Sequence, residues 1–158
     1  MLSNATLNWI SQNGFDANDV NLPGRYEDTP LILACRRGEA SVADELIKAG
    51  ANIHHRNMDG TTALWACVVS DSFDLADQLL HGGIELNHDN GNGATTLMYA
   101  CSAGKPDWVK YFLGKGADIT IESFDGFNAL DLASNIECLR LMKAAQAKQN
   151  DQAQYQGG

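Results

Sequence analysis

The fold is decided by residues 59–80, which read DGTTALWACVVSDSFDLADQLL. Thr62, Ala63 and Leu64 open a short apolar helix, and the polar pair Asp71-Ser72 interrupts it. The apolar residues between Phe73 and Leu80 then recur with the spacing of a second, amphipathic helix. The stretch therefore predicts a helix–turn–helix unit.

The same pattern recurs at a fixed distance along the chain. Its lead residues are Thr29, Thr62, Thr95 and Asn128, and each follows the previous one by 33 residues. Helices this short are marginal alone, because nucleation of a helix is costly. A period of this size indicates a solenoid, in which each unit is stabilised by its neighbours. We therefore predict an all-α fold of stacked helix–turn–helix units.

The repeat register also sets the expected domain limits. We predict one domain over residues 1–148, with a cap at 1–20 and repeats at about 24–56, 57–89, 90–122 and 123–148. The first connection carries three extra residues, within 21–26. The tail at 149–158 has little to bury, so we expect it to be disordered.

The residues at these positions resemble the ankyrin repeat family. The resemblance rests on Asp59-Gly60-Thr61-Thr62-Ala63-Leu64 and on Lys115-Gly116-Ala117-Asp118-Ile119, and it covers roughly residues 7–145. It implies an ankyrin repeat solenoid whose β-hairpin-like loops project from the helix pairs. The histidine of the family motif is replaced in every copy, by Ile32, Trp65, Met98 and Asp131. We expect apolar packing to replace its hydrogen bonds.

The central copy departs from the family motif in its turn. Asp71 replaces the glycine between the two helices. Aspartate tolerates left-handed backbone angles, so we predict that Asp71 adopts them.

Composition narrows the function classes. A net charge of −9 argues against a nucleic-acid partner, because such binding needs clustered Lys and Arg. It fits a soluble protein, or one that binds a basic surface. No apolar run approaches the length of a membrane span, and we see no signal peptide, so we expect a cytoplasmic monomer with no membrane partner.

The cysteines and histidines show no metal or catalytic spacing. Cys35, Cys67 and Cys101 recur beside the small-residue position of the first helices, where cysteine behaves as a small buried apolar residue. His54 and His55 lie in an extended stretch and are expected to point to opposite faces. We therefore predict no catalytic residues, no metal and no cofactor.

The family resemblance implies that binding uses the hairpin tips and the exposed positions of the first helices, which form a concave palm. It places partner contacts at Arg25, Tyr26, Asp28, Met58, Asp59, Thr61, Asn92, Ala94, Phe124, Asp125 and Phe127 on the tips. On the palm it places them at Arg36, Arg37, Val69, Ser70, Ser102 and Ala103.

Two of these assignments have structural alternatives. Phe127 packs inward and Tyr26 covers the long first loop in one alternative, whereas exposed aromatic residues favour an interface. Arg36 and Arg37 either meet a partner carboxylate or balance Glu39 and Asp44.

The leading interpretation is a non-catalytic protein-interaction module that acts as a scaffold, adaptor or inhibitor. The alternatives are an enzyme or metal- or ligand-binding domain that uses the His and Cys residues, and a purely structural self-association module.

Overall fold

The repeated sequence pattern folds into successive helix pairs. The computed structural model describes residues 1–156, with side chains as far as Gln154. Its helices are α1 (Asn4–Gln12), α2 (Pro30–Arg37), α3 (Ala40–Lys48), α4 (Ala63–Ser70), α5 (Phe73–His81), α6 (Thr96–Ser102), α7 (Pro106–Gly114), α8 (Ala129–Leu132) and α9 (Ile136–Gln156). A short 3-10 turn lies at Arg25–Glu27. The predicted all-α class is confirmed.

Helix boundaries follow from the repeated polar residues. The Thr29 hydroxyl accepts a hydrogen bond from the Ile32 N–H at 3.3 Å, and the Thr95 hydroxyl accepts one from the Met98 N–H at 3.2 Å. Such side-chain caps satisfy N–H groups that the first turn of a helix leaves unpaired. Asn128 opens α8 with a reciprocal capping box to Asp131.

Left-handed residues end the first helices of the first two repeats. Gly38 follows α2 with φ 69°, and Asp71 follows α4 with φ 56° and ψ 38°. Asp71 thus adopts the left-handed backbone angles that were predicted for it.

Contacts divide the chain into two compact units, here called unit 1 (Met1–Glu85) and unit 2 (Leu86–Gly158). A single domain over 1–148 was expected. In a repeat array each repeat contacts only its neighbours, so contacts are fewest between repeats. The division at residues 85 and 86 lies close to the predicted boundary between the repeats 57–89 and 90–122.

Unit 1 is built by α1 to α5. Pairs of consecutive helices pack together, α2 lies against α4, and α3 lies between α1 and α5. Ile10, Leu31, Leu46, Leu64 and Leu79 are fully buried in this unit. Every helix of the unit therefore contributes a large aliphatic side chain to its core.

Unit 2 is built by α6 to α9. Its core is aromatic: Trp108 and Phe112 are buried, with ring centroids 5.6 Å apart. Met98 and Met142 are buried as well. At the start of α9, Ile136 is 67% exposed, whereas Cys138 is buried.

The last helix is longer than the sequence led us to expect. The segment from residue 149, predicted to be disordered, continues α9 to Gln156, and residues 157–158 lie outside the described part of the chain. Four of the eight residues 149–156 are Gln, and Gln is a good helix former.

None of the helices in the described residues is long and apolar enough to cross a membrane. All four cysteines are buried and unpaired. Burial raises the pKa of Cys101 to about 12, and a hydrogen bond with Cys35 raises the pKa of Cys67. These thiols are therefore held in the protonated form, which suits packing residues.

Candidate functional site

The hairpin tips of all four repeats are closed by an equivalent backbone hydrogen bond. In each tip the first N–H donates to the carbonyl four residues later: Gly24 to Asp28, Asn57 to Thr61, Asn90 to Ala94, and Ser123 to Phe127, at 2.8 to 3.0 Å. In the two middle tips the asparagine carboxamide also accepts from backbone N–H groups within the tip. Each tip is therefore closed by its own hydrogen bonds.

Adjacent tips within each unit are joined through the backbone. In unit 1 the Met58 N–H donates to the Tyr26 carbonyl at 2.9 Å. In unit 2 the Phe124 N–H donates to the Asn92 carbonyl at 3.0 Å. Both bonds involve residues predicted to contact a partner, so the structure brings these residues together in pairs.

The first tip has an unusual backbone. Tyr26 and Glu27 both have positive φ, 59° and 60°, and the Asp28 N–H donates to the Arg25 carbonyl at 3.1 Å. This is the pattern of a type I′ turn, in which Asn and Gly are the usual residues. Left-handed angles cost roughly 1–2 kcal/mol for other residues, so surrounding contacts must hold this turn.

A buried polar network supplies those contacts. The Asp28 carboxylate, only 5% exposed, accepts two hydrogen bonds from the Arg36 guanidinium at 2.6 and 3.1 Å. It also accepts one from the Asn57 side chain at 3.0 Å. The His55 ring donates to the Glu27 carbonyl at 2.7 Å. The strained turn is thus fixed to α2 and to the second tip.

This network corrects two expectations. Asp28 was predicted to contact a partner, but it is buried, because its carboxylate ties the tip to Arg36 and Asn57. Arg36 was expected to meet a partner or to balance Glu39 and Asp44; it pairs with Asp28 instead. The hydrogen bond to Asp28 raises the pKa of Arg36, which favours the charged guanidinium.

The outer surface of the unit 1 tips is apolar. Tyr26 is 59% exposed and Met58 is 65% exposed. The Arg25 guanidinium lies 5.3 Å from the centre of the Tyr26 ring, within the range of a cation–π contact. Asp59 is exposed beside Met58, and Thr61 is half-buried. Tyr26 and Met58 are therefore accessible to a partner.

The tips of unit 2 expose aromatic rings. Phe124 is 77% exposed and Phe127 is 50% exposed, so neither ring packs into the core. The inner edge of the Phe124 ring lies so close to Gly93 that a Cβ there would be 2.7 Å from the ring. Asn92 and Asp125 are exposed, whereas Ala94 is half-buried.

The first-helix positions are more varied. Val69, Ser102 and Ala103 are exposed. Arg37 is exposed and donates to the Asn13 side chain at 2.6 Å. Ser70 is half-buried, and its hydroxyl donates to the Cys35 carbonyl at 2.6 Å. Of the palm residues, Ser70 thus has a structural role in joining α2 and α4.

The histidines do not form a metal centre. No group of three or more His, Cys, Asp or Glu side chains suited to a metal ion occurs in the part of the chain that the structure describes. The His55 ring is hydrogen-bonded to the Glu27 carbonyl in the first tip, and His88 is buried.

Comparisons with known proteins agree with this geometry. A family model of ankyrin repeats in three copies matches residues 2–90, which is more than half of the chain. A second ankyrin repeat model matches residues 79–133. The chain belongs to the ankyrin repeat family.

Two curated ankyrin relatives match parts of the chain. The potassium channel AKT2/3 of Arabidopsis thaliana is 31% identical over 108 residues, which cover 66% of this chain and 13% of the channel. The protein fem-1 homolog A-like of Mus musculus is 32% identical over 57 residues, which cover 36% of this chain and 9% of that protein. This chain therefore spans only a small part of either relative.

The ankyrin motif did not reveal the buried network of the first tip. The three extra residues in 21–26 indicated an irregular loop but not its left-handed Tyr26-Glu27 pair. One signal was present in the sequence: Asn57 and Asn90 lie one repeat apart, and the same position is Ser123 in the last copy. A polar residue that recurs at a tip indicates hydrogen bonding inside the tip.

Proposed function

We propose that this chain is a non-catalytic protein-binding module that grips its partner with the hairpin tips. Ankyrin repeats generally mediate protein–protein interactions. The observation that carries the proposal is the combination of closed tips with exposed Tyr26, Met58 and Phe124. A backbone that is already fixed by hydrogen bonds loses little further conformational entropy on binding.

The proposal is tested by capture of partners from a native lysate. We expect the wild-type chain to retain at least one protein, and Phe124→Ala and Arg37→Ala to weaken its retention. Both variants replace exposed side chains, so the fold should persist. Equal retention by the wild type and both variants would exclude these residues from the interface.

The partner is further proposed to have a basic surface that binds unit 1. Unit 1 has five Lys and Arg against twelve Asp and Glu, a net charge of −7. Unit 2 has six against eight, a net charge of −2. An inhibitor that covers a basic surface would use such a charge distribution.

Salt dependence tests this part of the proposal separately. Association through unit 1 should weaken strongly between low and high ionic strength, because exposed charges are screened. Binding that is insensitive to salt would be consistent with binding through the tips, but it would show that the partner does not use a basic surface.

We also propose that the module is cytoplasmic and monomeric. Four unpaired buried thiols suit a reducing compartment. Light scattering at micromolar concentration tests the monomer, and a mass of two chains would favour self-association instead.

A further inference from the structure

Unit 2 contains a groove that does not involve the tips or the palm. It lies between α7 and α9 and has a volume of about 620 Å³. Leu113, Ala117 and Ile119 form one wall, and Leu141 and Ala144 belong to the other. The groove extends along α9 from Leu141 to Gln152, a helix length of about 16 Å.

The groove is edged by positive charge. Lys110 and Lys148 line it, one from each helix. Lys110 makes an ion pair of 3.6 Å with Glu137, but both side chains are more than half exposed, so the pair is weak and exchangeable.

This charge is concentrated on one part of unit 2. All six of its cationic residues lie on α7, at the caps of α7, or on α9: Lys105, Lys110, Lys115, Arg140, Lys143 and Lys148. The same segments carry three acidic residues, Asp107, Glu137 and Asp151. In a chain with a net charge of −9, α7 together with its two capping lysines carries a net charge of +2, and α9 carries +1.

From this geometry we infer that the α7–α9 groove is a second binding surface, which accepts an acidic amphipathic helix of a partner protein. The apolar walls take the apolar face of the helix, and Lys110 and Lys148 meet carboxylates on its flanks. The length of about 16 Å matches three turns of such a helix. Ala117 and Ala144 are small, which lets a helix approach closely.

The shape of the surface favours a helix over a membrane. Binding to a lipid surface needs apolar side chains that protrude beyond the lysines. Here the apolar lining residues Leu113, Ile119 and Leu141 are half-buried, whereas Lys110 and Lys148 are exposed, so the apolar side chains do not protrude beyond the lysines. The inference does not depend on the tip proposal, since it uses different residues.

The test uses a fluorescein-labelled 14-residue peptide with Leu at helical spacing and Glu at the flanking positions. A matched peptide carries Lys in place of each Glu. Fluorescence polarisation with the full chain should show saturable binding of the acidic peptide and at least tenfold weaker binding of the basic one.

Matched variants locate the binding site. Lys148→Glu should weaken binding about tenfold, since it reverses a charge in direct contact. Lys143→Glu makes the same charge change on the same helix but outside the groove, so it should have a much smaller effect. Ala144→Trp should block the groove without loss of thermal stability, and Tyr26→Ala should leave peptide binding unchanged.

Several results would overturn the inference. Equal effects of Lys148→Glu and Lys143→Glu would show only a general charge attraction. Binding to anionic phosphatidylglycerol vesicles without binding to the peptide would assign the surface to a membrane. Dimer formation that Ala144→Trp abolishes would assign it to a second copy of the chain.

Discussion

Equivalent residues of the repeats do not all have the same role. Thr29 and Thr95 cap their helices through the hydroxyl. Thr62 has the same place before α4, but it makes no side-chain cap. Its hydroxyl is buried and has no hydrogen-bond partner among the described residues. A buried polar group without a partner costs free energy.

This difference leads to a prediction for valine, which has the shape of threonine without the hydroxyl. Thr62→Val should leave the free energy of unfolding unchanged or increase it, because it removes an unpaired polar group. Thr29→Val should lower it by about 1 kcal/mol, because a cap is lost. Urea unfolding of both variants measures the contrast; equal losses would mean that Thr62 also caps its helix.

The backbone angles or burial of a single residue could be predicted where one property of that residue determines them. Asp71 was expected to be left-handed because it replaces a glycine, and it is. The small-residue position of the first helices was expected to bury Cys35, Cys67 and Cys101, and all three are buried. Tyr26 could not be predicted, because no local preference places a tyrosine in the left-handed region.

At the scale of elements, neighbouring tips restrict each other's sequence. Gly93 has φ 78°, and the ring of Phe124 leaves no space for a Cβ there. Gly126 has φ 85°, but a Cβ at that position would meet nothing within 4 Å. The two glycines therefore differ in packing and share the backbone requirement.

Alanine substitution separates these two effects. Gly126→Ala should lower the free energy of unfolding by about 1 kcal/mol, the cost of a left-handed alanine. Gly93→Ala should cost more, because it also displaces Phe124. In a Phe124→Ala background the cost of Gly93→Ala should fall but stay above that of Gly126→Ala, because the backbone nitrogen of residue 124 remains 3.0 Å from the added Cβ. An unchanged cost there would mean that the ring does not press on Gly93.

The network of the first tip connects an element to its neighbours through buried charge. Arg36→Ala leaves the Asp28 carboxylate buried with Asn57 as a remaining partner. We expect a loss of about 1–3 kcal/mol, since a charged group loses its hydrogen bonds. Lys48→Ala is the control, because its pair with Asp44 is exposed and should contribute much less to the free energy of unfolding.

A double-mutant cycle checks that Asp28 and Arg36 act together. The loss in Asp28→Ala/Arg36→Ala should be smaller than the sum of the two single losses, because removal of both partners leaves no buried charge unpaired. Additive losses would show that the residues stabilise the tip independently.

The sequence predicted the elements more reliably than their connections. The 33-residue register located all four helix pairs, because periodic apolar residues define the buried faces. The Asp28–Arg36–Asn57 network joins residues up to 29 positions apart, and only the folded chain brings them together. The extension of α9 was missed, because its exposed residues show no apolar periodicity.

The surfaces of the two units differ in their chemistry. The tips of each unit present exposed aromatic or thioether side chains on hydrogen-bonded backbones. Unit 1 carries most of the negative charge, whereas α9 and α7 with its two capping lysines are cationic. The predicted domain limits, location and oligomeric state stay predictions.

The central claim is that exposed side chains of the tips bind a partner protein. The most direct test compares three forms of the chain in quantitative affinity capture from native lysate: the wild type, a tip variant with Tyr26→Ala, Met58→Ala and Phe124→Ala, and a control with Ile136→Ala. Ile136 is 67% exposed and lies outside the tips.

We expect at least one protein to be retained equally by the wild type and the control. The tip variant should retain it at least tenfold less, while its circular dichroism and melting temperature stay unchanged. Equal retention by all three folded forms would show that these tip side chains do not bind the partner.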